Sequence, residues 1–151
     1  MPQSLSQIWL HLVFGTKDRR PFLQKAPVRD EMFRMLSHHV SETDCQPARS
    51  GGWVDHVHVV CGLSRTTTVA DLVEHVKSET SKWVKKPPHS LSTFAWQSGY
   101  GAFSVSQSNL PRVLTYVEGQ VEHHRTVSFQ DEFRKLCRLH GVEIDERYVW
   151  D

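Results

Sequence analysis

The sequence predicts an α+β fold: one antiparallel sheet built in the order β-α-β-β-α-β, with helices packed on it and further helices at the C-terminal end. Three observations predict it. Apolar runs of strand length stand at residues 8–14, 53–63 and 102–106, and amphipathic stretches of helical period lie between them. Cap and turn signals separate the two kinds of segment, at Gly51-Gly52, Thr68-x-x-Asp71 and Pro87-Pro88. No repeat, low-complexity tract or linker divides the chain, so one domain over residues 1–151 is expected, long enough to bury a core.

Residues 8–14, Ile-Trp-Leu-His-Leu-Val-Phe, form the first strand, apolar enough to be central. Pro27 then opens a helix, because its missing N–H falls where no helical bond is made. Val28, Met32, Met35, Leu36, His39 and Val40 give that helix its apolar stripe. A short strand near residues 46–49 follows, and Gly51-Gly52 breaks the chain before the strand at 53–63. Thr68 and Asp71 make a capping box for a second helix, lined by Val69, Leu72, Val73, Val76 and Trp83 and stopped by Pro87-Pro88. Phe94-Ala95-Trp96 and residues 102–106 read as short strands around Ser98-Gly99-Tyr100-Gly101. Ser108 caps a third long helix, with Pro111 in its first turn, running to about His124. Ser128-x-x-Asp131 caps another that ends near Gly141. This is the split βαβ, ferredoxin-like arrangement with C-terminal helices added.

Composition narrows the function. No apolar run approaches the ~20 residues of a membrane span, so no membrane partner is expected. The start, Met1-Pro2-Gln3-Ser4, lacks a basic n-region and a cleavage site. Cys45, Cys61 and Cys137 are odd in number and form no C-x-x-C pair, which suits a reducing cytoplasm and excludes a cysteine-based zinc knuckle. The net charge is +1, but residues 1–117 hold 13 Lys/Arg against 9 Asp/Glu, and residues 118–151 hold 5 against 8. The basic groups Lys17, Arg19 and Arg20, the trio Lys82, Lys85 and Lys86, and Arg112 are the candidate phosphate contacts.

The chemistry concentrates in two places. In Asp55-His56-Val57-His58-Val59-Val60, strand alternation sends Val57 and Val59 into the core and puts both imidazoles on the other face, about 7 Å apart. On the third long helix, Leu110, Val113, Leu114, Val117 and Val121 form an apolar stripe, and Arg112, Tyr116, Gln120 and His123 a polar one. Two imidazoles and the Gln120 amide oxygen can meet on one divalent cation with the Tyr116 hydroxyl beside it. A phenol with a pKa near 10 is a poor nucleophile unless a cation takes up charge on the group it attacks. Imidazole suits Mn²⁺ better than Mg²⁺, which prefers oxygen. A zinc hydrolase with His123 or His124 as third imidazole stays open. Gly119, costly within a helix, points to close approach of another backbone or a nucleic-acid strand, or else to a weak helix. His11, His38, His39, His75, His89 and His140 are read as surface or structural.

In the order His11-Leu12-Val13-Phe14-Gly15-Thr16-Lys17 with Arg19 and Pro21-Phe22, Asp55-His56-Val57-His58, residues 96–105 from Trp96-Gln97-Ser98-Gly99-Tyr100-Gly101 to Val105, Tyr116-Val117-Glu118-Gly119-Gln120, and Glu122-His123-His124-Arg125 to Phe133, the chain resembles the single-tyrosine HUH transposases of bacterial insertion sequences, with the REP-associated tyrosine transposases as relatives. The resemblance implies that His56, His58 and Gln120 bind Mg²⁺ or Mn²⁺. It implies that Tyr116 attacks a phosphate of single-stranded DNA, stays linked to the 5′ end and frees a 3′-OH, with no nucleotide cofactor. It further implies DNA with hairpin ends as partner and a homodimer in which the Tyr116 helix faces the partner's His pair. Two other readings compete. One is a replication initiator or relaxase sharing the His pair. The other is a non-catalytic nucleic-acid-binding module whose Trp53, Phe94, Trp96, Tyr100 and Phe103 stack bases on an open sheet face.

Overall fold

The computed structural model describes residues 2–124 and 126–151. Met1, and Arg125 of the Glu122–Arg125 run, lie outside them. The strands are β1 (Trp9–Gly15), β2 (Ala48–Gly52), β3 (His56–Gly62) and β4 (Gly101–Val105), and the helices α1 (Ala26–Ser41), α2 (Val69–Lys85), α3 (Leu110–Glu118), α4 (Gln120–His123) and α5 (Phe129–Leu139). Every strand pair is antiparallel, in the spatial order β2-β3-β1-β4. The fold is α+β with the predicted element order.

Both faces of the sheet are covered. On one, Leu10, Leu12 and Phe14 of β1 and Val57, Val59 and Cys61 of β3 pack against α1 and α2. On the other, Val13 and Phe103 pack against Phe129, Phe133 and Cys137 of α5, with Val149 and Trp150 closing over them. Each of these side chains contributes about 1.5–3 kcal/mol when fully buried. The caps act as the sequence indicates: the Asp71 N–H donates to Thr68 Oγ1 at 3.1 Å and the Asp131 N–H to Ser128 Oγ at 3.2 Å. Cys45, Cys61 and Cys137 are buried free thiols.

Four local expectations are corrected. Gly51 and Gly52 lie inside β2 rather than beyond its end, because helix backbone packs onto Gly51 where a side chain would not fit. Phe94-Ala95-Trp96 is no strand. Trp96 makes a single bridge to Thr16, and both aromatic rings turn into the core, 4.8 Å apart, with Phe14 4.9 Å from Trp96. Ser108 does not cap α3: Asn109 stands at its N-cap without a side-chain cap, and Ser106 caps the short 3-10 turn before it, accepting from the Asn109 N–H. The third long helix divides at Gly119, and of its apolar stripe Val117 is buried while Val121 is 40% exposed.

Candidate active site

Register places the two imidazoles. His58 stands opposite Val13 of β1 and Gly51 of β2, and His56 opposite Gly15, so both face the layer of α3, α4 and α5. They are fully buried. Gly51 brings the helix down onto them: a Cβ there would lie 2.2 Å from the Val117 carbonyl oxygen. Tyr116, one residue earlier, is thereby held with its ring 5.7 Å from that of His58. Gln120 follows one turn on, buried, its Oε1 3.2 Å from His56 Nε2. His56, His58, Gln120 and Tyr116 therefore converge within the one chain described.

The centre of this cluster is a residue the sequence reading passed over. Glu132 of α5 is 3% exposed, and its Oε1 lies 2.9 Å from His58 Nε2 and 3.3 Å from His56 Nε2. Its Oε2 accepts a hydrogen bond from the Tyr116 hydroxyl and lies 3.3 Å from His124 Nε2. Burial would push this carboxyl up, but His124, His56 and His58 outweigh it and hold Glu132 ionised, far below the usual range. Burial and the Glu132 charge together push the Tyr116 phenol above its ordinary value, so it is a neutral donor here.

The hydrogen bonds assign the protons. Burial pulls His56 down, yet the Asp55 and Glu132 carboxylates overcome it and raise its pKa to about 9. Its Nδ1–H donates to Asp55 Oδ1 at 2.8 Å, which fixes the ring with Nε2 aimed into the site. His58 Nε2 faces an acceptor-only carboxylate and so carries hydrogen. Its Nδ1 then accepts from His11 Nε2–H at 2.8 Å. His11 is 3% exposed, and burial, with His58 beside it, lowers its pKa to about 3. Of the two readings given for His11, surface or structural, the structural one holds: it is buried and its hydrogen bond orients His58.

Metal-ligand chemistry fits the cluster. Donor atoms of His56, His58, His124 and Glu132 all lie within 4.8 Å of one another, and the Gln120 oxygen is 2.8 Å from His124 Nε2. The buried Nε2 of His123 lies 3.1 Å from Glu132 Oε2 without making a hydrogen bond, so a further imidazole nitrogen stands at the same place. Imidazole, amide and carboxylate donors suit a divalent cation of the Mn²⁺ or Mg²⁺ kind.

The remaining site candidates spread wider. Arg112 is exposed one turn before Tyr116. Lys17, Arg19 and Arg20 are exposed just past β1, at the sheet end where Thr16 N–H donates to the Asp55 carbonyl at 2.8 Å. Lys82, Lys85 and Lys86 are exposed at the end of α2, in the layer on the other face of the sheet. The base-stacking alternative loses three of its five rings to burial, since Phe94, Trp96 and Phe103 are 1%, 9% and 4% exposed, while Tyr100 is exposed and Trp53 half-buried. Glu132 did leave a sequence signal. Phe129, Phe133, Leu136 and Cys137 form an i, i+4, i+7, i+8 stripe, and Glu132 fills its i+3 position, where a carboxylate needs a partner.

Comparison with known proteins points one way. A family model described as "Transposase IS200 like" matches residues 4–120. Among solved structures, a candidate transposase from Deinococcus radiodurans R1 superposes with a TM-score of 0.59 at 20% identity, covering 80% of this chain and 95% of that one. A REP-associated tyrosine transposase bound to a REP hairpin superposes with a TM-score of 0.56 at 13% identity, covering 84% of this chain and 74% of that one. No curated protein sequence matches the chain.

Proposed function

Because the chain belongs to the IS200-like transposase family, we propose that it cleaves and rejoins single-stranded DNA at insertion-sequence ends through a 5′-phosphotyrosine bond on Tyr116. The observation that carries this reading is the meeting of Tyr116, His56, His58 and Gln120 around one buried carboxylate. The Tyr116 oxygen bonds to the scissile phosphorus as the P–O3′ bond breaks, and the leaving oxygen takes up a proton to become a free 3′-OH. One phosphate ester replaces another, so reversal by a second 3′-OH needs no nucleotide cofactor. Glu132, by accepting the Tyr116 hydrogen bond, orients the phenol oxygen, and the phenol proton is given up to solvent as the P–O bond forms.

His56, His58 and Gln120 would hold the cation, with His124 or Glu132 added to the set. Bound there, Mg²⁺ or Mn²⁺ supplies positive charge to the non-bridging phosphate oxygens and orients the ester. Asp55 and His11 keep the two imidazoles aimed. Arg112, Lys17, Arg19 and Arg20 are the phosphate contacts flanking the site. Lys82, Lys85 and Lys86 would meet DNA that continues round the sheet's end. The likeness to a transposase bound to a hairpin supports hairpin ends as the substrate. A homodimer would carry two such sites, and the buried free cysteines suit a cytoplasmic setting.

The test is a single-stranded oligonucleotide carrying a hairpin and a 3′ label. Cleavage should stop in EDTA and return with Mg²⁺ or Mn²⁺, and His56→Ala should abolish it while hairpin binding persists. Full cleavage in EDTA would remove the metal from the reaction.

A further inference from the structure

A second cluster of ligating groups stands in the α1–α2 layer, on the face of the sheet away from Tyr116. His38 and His39 lie in the last turn of α1, and Glu42 caps it three and four residues on, so all three share one end of the helix. His75 reaches in from α2. The His39 Nδ1–H donates to Glu42 Oε1, His75 Nε2–H donates to the same oxygen at 3.1 Å, and His38 Nε2 lies 3.8 Å from Oε2. Donor atoms of His38, His39 and Glu42 all fall within 4.8 Å of one another. The rings of His38 and His75 stand 5.0 and 5.9 Å from that of His39.

We propose that His38, His39, His75 and Glu42 form a binding site for a divalent transition cation, Zn²⁺ first, that ties α1 to α2. Three imidazoles and one carboxylate, with no amide oxygen among them, are a donor set that favours Zn²⁺ over the oxygen-preferring Mg²⁺ and Ca²⁺. With metal–ligand bonds near 2.0–2.1 Å, a tetrahedral site needs its donor atoms about 3.4 Å apart. Around Glu42 the spacing is near that: His75 Nε2 stands 3.1 Å and His38 Nε2 3.8 Å from its oxygens, and the donors of His38, His39 and Glu42 lie within 4.8 Å of one another. The His39 side chain is 11% exposed and anchored, while those of His38 and His75, at 60% and 37%, have room to close in. Hydrogen bonds from His39 and His75 hold the Glu42 carboxyl below its ordinary value, ready as an anionic ligand. Binding the cation would turn His39 and His75 to the tautomers whose bare nitrogens face it, their protons moving to the other ring nitrogen, and the exposed Glu42 carboxylate would supply one negative charge. Because α1 and α2 cover one whole face of the sheet, binding there stabilises the fold by mass action. The site is independent of the DNA chemistry.

The experiment is a Zn²⁺ titration of the full chain by calorimetry, with the H38A/H75A double variant beside it. Both side chains are more than a third exposed, so the variant should keep its circular dichroism. It should bind one equivalent fewer than the wild type, or bind that equivalent at least about tenfold more weakly, and lose the rise in Tm that this equivalent gives. Unchanged stoichiometry and affinity would overturn the proposal. His75→Cys gives a second reading that does not depend on losing anything. With Co²⁺ it should show a thiolate-to-cobalt charge-transfer band absent from the wild type, and no band would count against the site.

Discussion

At the scale of residues, the site is a buried carboxylate surrounded by imidazoles, and its stability rests on their mutual pairing. Glu132 sits within hydrogen-bonding or ion-pair reach of His56, His58, His123 and His124 and takes the Tyr116 hydroxyl as well. Removing one partner of such a buried set leaves the others desolvated and unpaired, at a cost of about 3–5 kcal/mol. Glu132→Gln keeps the volume and removes the charge. In metal-free protein it should lower the unfolding free energy by about 3 kcal/mol or more, measured by urea denaturation. A variant as stable as the wild type would mean that the carboxylate is not the hub. Of this cluster, the His pair, Tyr116 and Gln120 were legible in the sequence because strand and helix periods put each pair on one face. Glu132 and His11 were not singled out, since a lone polar residue in an apolar stripe gains its meaning only from what the fold sets opposite it.

At the scale of elements, the distance between α3 and the sheet is set by a glycine that sequence reasoning took for a chain break. At Gly119 the helix divides, as the weak-helix alternative has it, and a Cβ there would meet only the Thr115 and Tyr116 carbonyls of its own preceding turn, the nearer at 3.3 Å. Close backbone approach occurs at Gly51, where the Val117 carbonyl leaves no room for a side chain. Gly51→Ala must push α3 away from β2, an overpacking cost of about 1–3 kcal/mol. Because Tyr116 precedes Val117, DNA cleavage should fall further than the Tm does. Gly119→Ala should change both much less. Equal effects of the two substitutions, in paired Tm and cleavage measurements, would show that Gly51 does not set the helix. Helix caps at Thr68 and Ser128 and the element order were readable locally, because each depends on residues three or four apart. Whether two glycines end a strand or admit a helix depends on a partner more than sixty residues away.

At the scale of the whole molecule, one sheet separates two tasks. Its α1–α2 face is closed by aliphatic and aromatic packing, and its other face holds the polar cluster between β1, β3 and the C-terminal helices. Strands from the first half of the chain and helices from the second supply the site together, and both come from the same polypeptide. Mixed dimers of His56→Ala and Tyr116→Phe chains should therefore remain inactive, since each chain carries a site with one defect. Recovery of part of the wild-type cleavage after subunit exchange would mean that the tyrosine acts on the partner's histidines.

The claim on which the rest depends is that Tyr116 becomes bonded to DNA. Protein incubated with the 3′-labelled hairpin substrate and a divalent cation should yield an adduct that survives denaturation. Proteolysis and mass spectrometry should locate the 5′-phosphate on the peptide containing Tyr116, and Tyr116→Phe should give no adduct. An adduct mapped to Tyr100 or Tyr148, or one that persists in Tyr116→Phe, would contradict the account.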